Sequence, residues 1–427
     1  MIQLLNNVAI LNRRAISLMS MIGLALFFAG LPPAGATTQS KDLVRPAVSA
    51  NGFSVRLLAD GLQHPWGLAW LPSGEILITE REGTLRKLSR DFSQLSPPIA
   101  GLPNTLVIEG QGGLLDIAVH PEFTKNGWIY ISYTEGPRAA GSGTALLRAR
   151  LQEDRLIDSE RLFSMQPKSR GGRHFGGRIV FDRQGMLYLT LGDRGEQERA
   201  QRPNDHAGSV IRLHDDGRIP ADNPFRGRPG LMPEAFRRGK RNIQGAAIHP
   251  VTGEWWTHEH GPQGGDEVNI IRGGRNYGWP TITYGVNYVT GTRIGEGSQK
   301  AGMEQPLHVW VPSIAPSGMA FYFGKVFPQW HGSLFVGALR GQSLVRLVLD
   351  GERIVAEERL LVNQIGRIRD VRVGPDGLIY LLTDAPDGPF STNIFWDRAI
   401  AEGRCFGMVH QGLWFDVGTP DAIPATE

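Results

Sequence analysis

The sequence predicts an all-β fold, a six-bladed β-propeller, on three observations. An apolar strand, a turn and a second apolar strand recur six times, as HPWGLAWLPSGEILITE, GLLDIAVHPEFTKNGWIYISY, GGRIVFDRQGMLYLTLGD, QGAAIHPVTGEWWTHEHG, SGMAFYFGKVFPQWHGSLFVGAL and IRDVRVGPDGLIYLLTD. The turns hold Pro, Asp or Gly, and the 55 glycines and 28 prolines mark a chain of turns rather than long helices. A lone hairpin cannot bury its apolar face, whereas several arranged around an axis can. A length of 427 residues and a hydrophobic fraction of 41% suit one large packed all-β domain.

The segments are taken in chain order. Arg13 and Arg14 precede an uncharged apolar run from Ala15 to Gly30, and Ala34-Gly35-Ala36 closes it as a small-residue cleavage site. This pattern predicts a signal peptide over residues 1–36, because a spanning helix needs about 20 apolar residues. Export to the periplasm is expected, with no stable membrane anchor after cleavage. Residues 37–52 are polar and predict a disordered lead-in. The propeller is expected over 53–386, its first blade opening at FSVRLLADGL near Phe53. The irregular stretch from Asp216 to Arg241, with four prolines, and the insertion from Gly285 to Pro306 predict functional loops at the channel mouth. After YLLTDAPDG the periodicity changes, so 387–427 is an atypical C-terminal tail. The last blade then needs a strand from PFSTNIFW, or lacks one. FDVGTP in the tail resembles the end of sugar nucleotidyltransferases, but the N-terminal Gly-rich nucleotide loop of those enzymes has no counterpart in this chain.

Charge and cysteine usage exclude some classes. The net charge is +3, with basic residues scattered apart from RRGKR at 237–241, which argues against a nucleic-acid partner. A single cysteine, Cys405, excludes an internal disulfide.

Several clusters carry chemistry. His64, His120 and His249 each precede a proline in the repeat and read as turn residues. His174 lies among glycines in GGRHFGGRI, one hairpin before Asp193 of LTLGDRG. The pair reads as a general base with its orienting carboxylate, or as a buried, satisfied histidine. Arg241 and Asn242 of RNIQG suit an oxyanion or a cofactor carbonyl, or a loop arginine paired with a surface acid. Glu259, Asp266 and Glu267 lie among glycines in HEHGPQGGDEVNIIRGGRNYGWP, where hard oxygens suit Ca²⁺ better than the transition metal that His258 and His260 would take. Arg340, Arg367 and Arg369 suit an anion with several carboxylates, or surface ion pairs.

In order, GQGGLLDIAVHP, RHFGGRIVFD, LTLGDRG, IPADNPF, RNIQGAAIHP, EHGPQGGDEVN, GGRNYGWP and RIRDV resemble the motifs of the soluble aldose sugar dehydrogenases, in the glucose/sorbosone dehydrogenase family that uses pyrroloquinoline quinone (PQQ). The likeness spans roughly residues 53 to 385. It implies His174 as general base, Asp193 as its orienting carboxylate, and Gln111 near the reacting sugar hydroxyl. It implies quinone contacts from Arg241, Asn242, Tyr288, Arg367 and Arg369, and from Arg340 where much of the family has lysine. Gly261 and Pro262 carbonyls would hold a catalytic Ca²⁺, and Glu267 with the Tyr277 carbonyl a second, structural Ca²⁺. The implied reaction is oxidation of an aldose at C1 to its lactone, with the C1 hydride passing to C5 of PQQ and electrons to a separate acceptor. The alternatives are a calcium-dependent propeller lactonase, which would place carboxylates on the channel axis, and a non-catalytic binding propeller.

Overall fold

The computed structural model describes residues 7–12 and 53–384. They form an all-β propeller. Their strands make six sheets, five of four strands and one of three. The three-stranded sheet is Pro65–Trp70, Ile76–Glu80 and Thr84–Leu88. The others begin with the inner strands Leu114–Val119, Gly176–Phe181, Ile243–Ile248, Pro316–Tyr322 and Arg367–Val373. Each inner strand packs against the next, and Arg367–Val373 returns to Pro65–Trp70, so the ring closes. Each of the six repeats in the sequence supplies the first two strands of one sheet.

The strand beside each inner strand shows why those repeats are apolar. Ile76–Glu80, Trp128–Glu135, Leu187–Leu191, Trp255–Glu259, Ser333–Ala338 and Ile379–Asp384 are buried along their whole length. Both faces of each are covered by neighbouring sheets, so the sequence there runs apolar without a two-residue alternation. An outer strand can be far more open: Arg353–Leu360 is exposed over most of its length and carries Arg353, Glu357, Glu358 and Arg359, charges that discourage an edge strand from recruiting another chain.

Every inner strand carries a register shift at its first residues, at Pro65/Gly67, Leu114/Ile117, Gly176/Ile179, Ile243/Gly245, Pro316/Met319 and Ile368/Asp370. Bulges at one end of the ring re-aim the residues there, at the end that holds His174 and two adjoining cavities. Inside the ring, buried Asp116 accepts from Arg178 Nη1 at 3.1 Å, Arg372 Nη2 at 2.9 Å and the Ile179 N–H at 2.9 Å. Asp370 pairs with both arginines, and Arg178 lies 4.4 Å from the Trp66 ring centre. With Trp66, this cluster ties inner strands of four sheets together.

Four expectations change. Six four-stranded blades were expected, and one sheet has three strands. Ser54–Ala59 does not open the first blade; it lies in the sheet with Arg367–Val373 and Ile379–Asp384, because a ring closes by joining the two ends of its chain in one sheet. The neighbour of Ile379–Asp384 is Asn7–Asn12, parallel to it and to Ser54–Ala59. Six residues assigned to the signal peptide thus occupy a strand position, which the apolar sequence NVAILN can fill. The long loop also contributes a strand, Ala235–Arg237, to the sheet of Gly176–Phe181. PFSTNIFW and the tail lie outside the described residues. Among those described, no helix is long and apolar enough to cross a membrane.

Replacing Asp116 by Asn leaves Arg178 and Arg372 short of a buried counter-charge. Guanidinium unfolding is expected to show a loss of about 3–5 kcal/mol, and a change under about 1 kcal/mol would contradict the role given to this cluster.

Candidate active site

His174 precedes its inner strand with φ of +57°, a left-handed backbone set in a run of glycines. Its N–H donates to Gln111 Oε1 at 2.8 Å, and its ring Nδ1 lies 2.6 Å from Asp193 Oδ1. Asp193 follows the adjacent strand. Its Oδ1 also accepts from the Gly195 N–H at 2.7 Å, and its Oδ2 accepts from Trp279 Nε1 at 2.8 Å. Both carboxylate oxygens are therefore engaged and the imidazole is held from one side. Burial would raise the Asp193 pKa, but the His174 hydrogen bond and the charges of His174 and Arg241 outweigh it, so it stays ionised below its ordinary value. Burial lowers the His174 pKa, and Arg241 and Arg173 oppose a second nearby cation, while Asp193 pulls the other way. The net direction is down, so the ring is neutral at pH 7. A neutral ring that donates from Nδ1 to Asp193 keeps its lone pair on Nε2, which is the form a general base needs.

The Arg241 carbonyl accepts from the Asp193 N–H at 2.8 Å, and its Nη1 donates to the His260 carbonyl at 3.2 Å. The guanidinium lies 5.6 Å from the Trp279 ring centre. His174, Asp193, Arg241, Pro262, Trp279 and Tyr288 line one small cavity of about 110 Å³. Tyr288, 58% exposed, comes from the long insertion at its rim. The imidazole, the guanidinium and a carbonyl-bearing turn thus meet at one place.

Beside it lies a cavity of about 490 Å³, lined by Gln111, Asn242, Arg340, Arg367 and Arg369 among the residues expected from sequence. Asn242 Oδ1 accepts from the Gly176 N–H at 3.2 Å. Sequence reasoning missed Arg81, Gln244 and Trp66, which also face this cavity. Arg81 ends ILITER as Asp193 ends LTLGD, so its place at a strand end was the available signal. Arg369 is pushed down to about 10 by burial first, with Asp384 opposing and Arg367, Arg81 and Arg178 adding repulsion. Arg81 Nε is buried without a partner. Four crowded guanidiniums and an orphaned donor fit a ligand with several carboxylates.

A hard cation fits less uniformly. Among the described residues, the Gly261 and Pro262 carbonyls accept no hydrogen bond, which leaves both free to face a cation. Asp266 is occupied elsewhere, accepting from the Gly261 N–H at 2.9 Å and from Ser313, Ile314 and Ala315. Glu267 and Tyr277 line a separate void with Gly261, and the ammonium of Lys240 lies 3.5 Å from Glu267 Oε2. Burial raises Glu267 to about 7, with Lys240 opposing and Glu259 adding to the rise. His258 and His260 share no metal position. Both ring nitrogens of His258 are buried without partners, and His260 Nε2 donates to the Pro316 carbonyl at 2.6 Å. Among the described residues no group of three or more His, Cys, Asp and Glu gathers as for a metal. The axial carboxylates Asp116 and Asp370 are bound to arginines, unlike the open carboxylates a propeller lactonase would need.

The His-Pro residues divide. His120 Nδ1 accepts from the Glu122 N–H at 2.9 Å and His249 Nδ1 from the Val251 N–H at 3.2 Å, so both pin turns after inner strands. His64 lies before its inner strand with φ of +46°, the position His174 holds two sheets on. Its ring pairs with Glu82 at 2.7 Å.

Together the ring of sheets and its bulged mouth define a propeller that presents a carboxylate-held imidazole beside a polycationic slot. The chain belongs to the glucose/sorbosone dehydrogenase family, whose model matches residues 62–392. It is 43% identical over 340 residues to aldose sugar dehydrogenase YliI of Escherichia coli, covering 78% of this chain and 91% of that one. A crystal structure of a glucose dehydrogenase superposes with a TM-score of 0.74 at 49% identity, covering 77% of this chain and 95% of that one. The PQQ-bound aldose sugar dehydrogenase of Streptomyces coelicolor superposes at 0.65 with 30% identity, covering 78% and 94%. A short match of 47 residues, 47% identical, is to N-acetylmuramate alpha-1-phosphate uridylyltransferase of Caulobacter vibrioides, covering 11% of this chain and 19% of that one.

The His174 shift sets a pH test. In the folded chain His174 titrates below the ordinary 6.5. As pH falls through 6.5 the unfolded chain takes the proton first, so this residue's contribution to stability declines toward acid. Asp193→Asn removes groups that hold the value up. Ring-nitrogen NMR is expected to show a midpoint below 6.5 in the wild type and lower still in the variant, and an upward move would contradict the assignment.

Proposed function

We propose that this protein oxidises aldose sugars at C1 to their lactones, using PQQ and Ca²⁺. The observation that carries the reading is a neutral, carboxylate-held imidazole adjoining a cavity ringed by guanidiniums. Arg81, Arg340, Arg367 and Arg369 would hold the carboxylates of PQQ, with Asn242 and Tyr288 as further contacts, and the Gly261 and Pro262 carbonyls would hold the cation. Bound there, the quinone supplies a two-electron acceptor and Ca²⁺ supplies Lewis-acid polarisation.

The chain's own residues do the rest. His174 Nε2 takes the proton of the anomeric hydroxyl. Asp193 stabilises the resulting imidazolium, and Trp279 and Gly195 keep that carboxylate from turning away. Gln111 fixes the His174 backbone and borders the space for the sugar. Arg241, seated against the Trp279 ring and the His260 carbonyl, places positive charge where negative charge grows. Two electrons leave the sugar and pass on to a separate acceptor.

Two coarser points belong to the same reading. The three-stranded sheet is counted as the sixth blade of the ring. The first 36 residues direct export to the periplasm and are removed there, which leaves a propeller domain from 53, a lead-in from 37, and a tail from 387 of unassigned role. Removal takes Asn7–Asn12 out of its sheet, so in the mature chain Ser54–Ala59 would take its place beside Ile379–Asp384.

Apo-protein supplied with PQQ and Ca²⁺ is expected to reduce an artificial dye with aldoses, and to do so only when both are present. Absence of reduction across a panel of aldoses ends the proposal. His174→Ala is expected to lower kcat by about 10²–10⁴-fold while quinone binding, followed by absorbance, is unchanged. The intact mass of the exported chain is expected to place its first residue at Thr37; a retained Asn7–Asn12 would refute the cleavage.

A further inference from the structure

Lys240 lies within the basic run RRGKR, yet it is fully buried. Its ammonium is 2.7 Å from Glu259 Oε1 and 3.5 Å from Glu267 Oε2, and 4.7 Å from the centre of the Tyr277 ring. These are the side chains around the position where the family resemblance implies a second Ca²⁺. We propose that the ammonium of Lys240 is the resident cation of this position, and that the chain takes no divalent ion at Glu267 and Tyr277.

Three observations support this. The first is charge. Two carboxylates face Lys240, and a second buried cation, Arg237, lies 5.1 Å from the same Tyr277 ring, with its three side-chain nitrogens unpartnered. Positive charge in the cluster already matches or exceeds what its carboxylates carry, since burial raises Glu267 to about 7, so a divalent ion would add uncompensated charge to a buried site. The second is ligand supply. Ca²⁺ takes about six to eight oxygens. Glu259 Oε1 is held by Lys240 and its Oε2 by the Arg241 N–H. Glu267 Oε2 accepts from Asn269 Nδ2 at 3.2 Å as well as facing Lys240. The Thr283 hydroxyl accepts from the Gly285 N–H, and the Tyr277 hydroxyl donates to the Ile270 carbonyl. Glu267 Oε1 and the Tyr277 carbonyl, which accepts no hydrogen bond among the described residues, are left, well short of that number. The third is space. The void among Glu259, Gly261, Glu267 and Tyr277 measures about 10 Å³, the scale of one water, so waters cannot complete the shell of about six to eight oxygens that Ca²⁺ takes.

The arrangement also links the cluster to the active site. Lys240 fixes Glu259, Glu259 fixes the Arg241 backbone, and the Arg241 carbonyl holds the Asp193 N–H. A fixed ammonium does this without depending on the calcium level.

Calcium binding to the full-length apo-protein tests the proposal by equilibrium dialysis. Wild type and Glu267→Gln are expected to bind equal numbers of Ca²⁺, and Lys240→Met, similar in length but uncharged, is expected to gain one. The extra ion is expected to vanish in the double variant. A wild type that loses an ion on Glu267→Gln, or a folded Lys240→Met that gains none, overturns the proposal. Terbium soaked into wild-type crystals decides the case without any variant: an anomalous peak on Glu267 refutes it, and none supports it. Dye reduction enters neither readout, so failure here leaves the quinone reading standing, and failure of that reading leaves this one.

Discussion

No sheet in this ring can cover both of its own faces. That constraint organises the molecule. The second strand of every sheet is buried along its length between neighbours, so each sheet depends on the two beside it and the chain must return to its start. Closing the ring drives the six inner strands toward one axis. Polar groups at their ends then have nowhere to spread, and burial makes each charge demand a partner. Asp116, Arg178, Asp370 and Arg372 meet that demand within the ring. At the mouth the demand is met only in part: Arg81 pairs with Glu82 and Arg369 lies 4.0 Å from Asp384, while positive charge from Arg81, Arg367 and Arg369 remains in excess. An excess of one sign in a slot of low dielectric is a binding site before any ligand is named.

Asp193 shows how the fold turns this geometry into chemistry. Its carboxylate accepts from a ring nitrogen, an indole and a backbone amide, while its own amide donates to Arg241. Those partners come from segments as far apart as 174 and 279. The result is an imidazole held neutral and oriented. Arg241 joins the same network through Glu259, and Lys240 anchors Glu259 in turn. The side chains of the candidate site are therefore fixed by a buried polar framework, each group of which is costly to leave unpaired.

Much of this was legible in the sequence. Six hairpins could be counted because strands covered on both faces stay apolar whatever their neighbours are. His174 and Asp193 could be paired because adjacent strand ends are close. Other readings failed for definite reasons. His64 was grouped with His120 and His249 by its proline, although it precedes its strand and they follow theirs; a dipeptide does not state which end of a strand it occupies. RRGKR showed in the sequence only as a run of basic residues; that Lys240 within it is buried followed from nothing local, since its carboxylates, Glu259 and Glu267, come later in the chain and only folding brings them back. Ser54–Ala59 read as the opening of the first blade, because an alternating segment does not name its sheet.

By itself, the sequence determined the class of fold, the family, and the residue types that carry charge and protons, because these depend on local pattern and on motifs held in order. The tertiary structure alone decided which charges meet. Arg81 reaches the slot beside Arg369, and Lys240 comes between Glu259 and Glu267. Coulombic and hydrogen-bond partnerships act over a few ångströms in space, and no spacing along the chain encodes a distance of that kind between strands of different sheets.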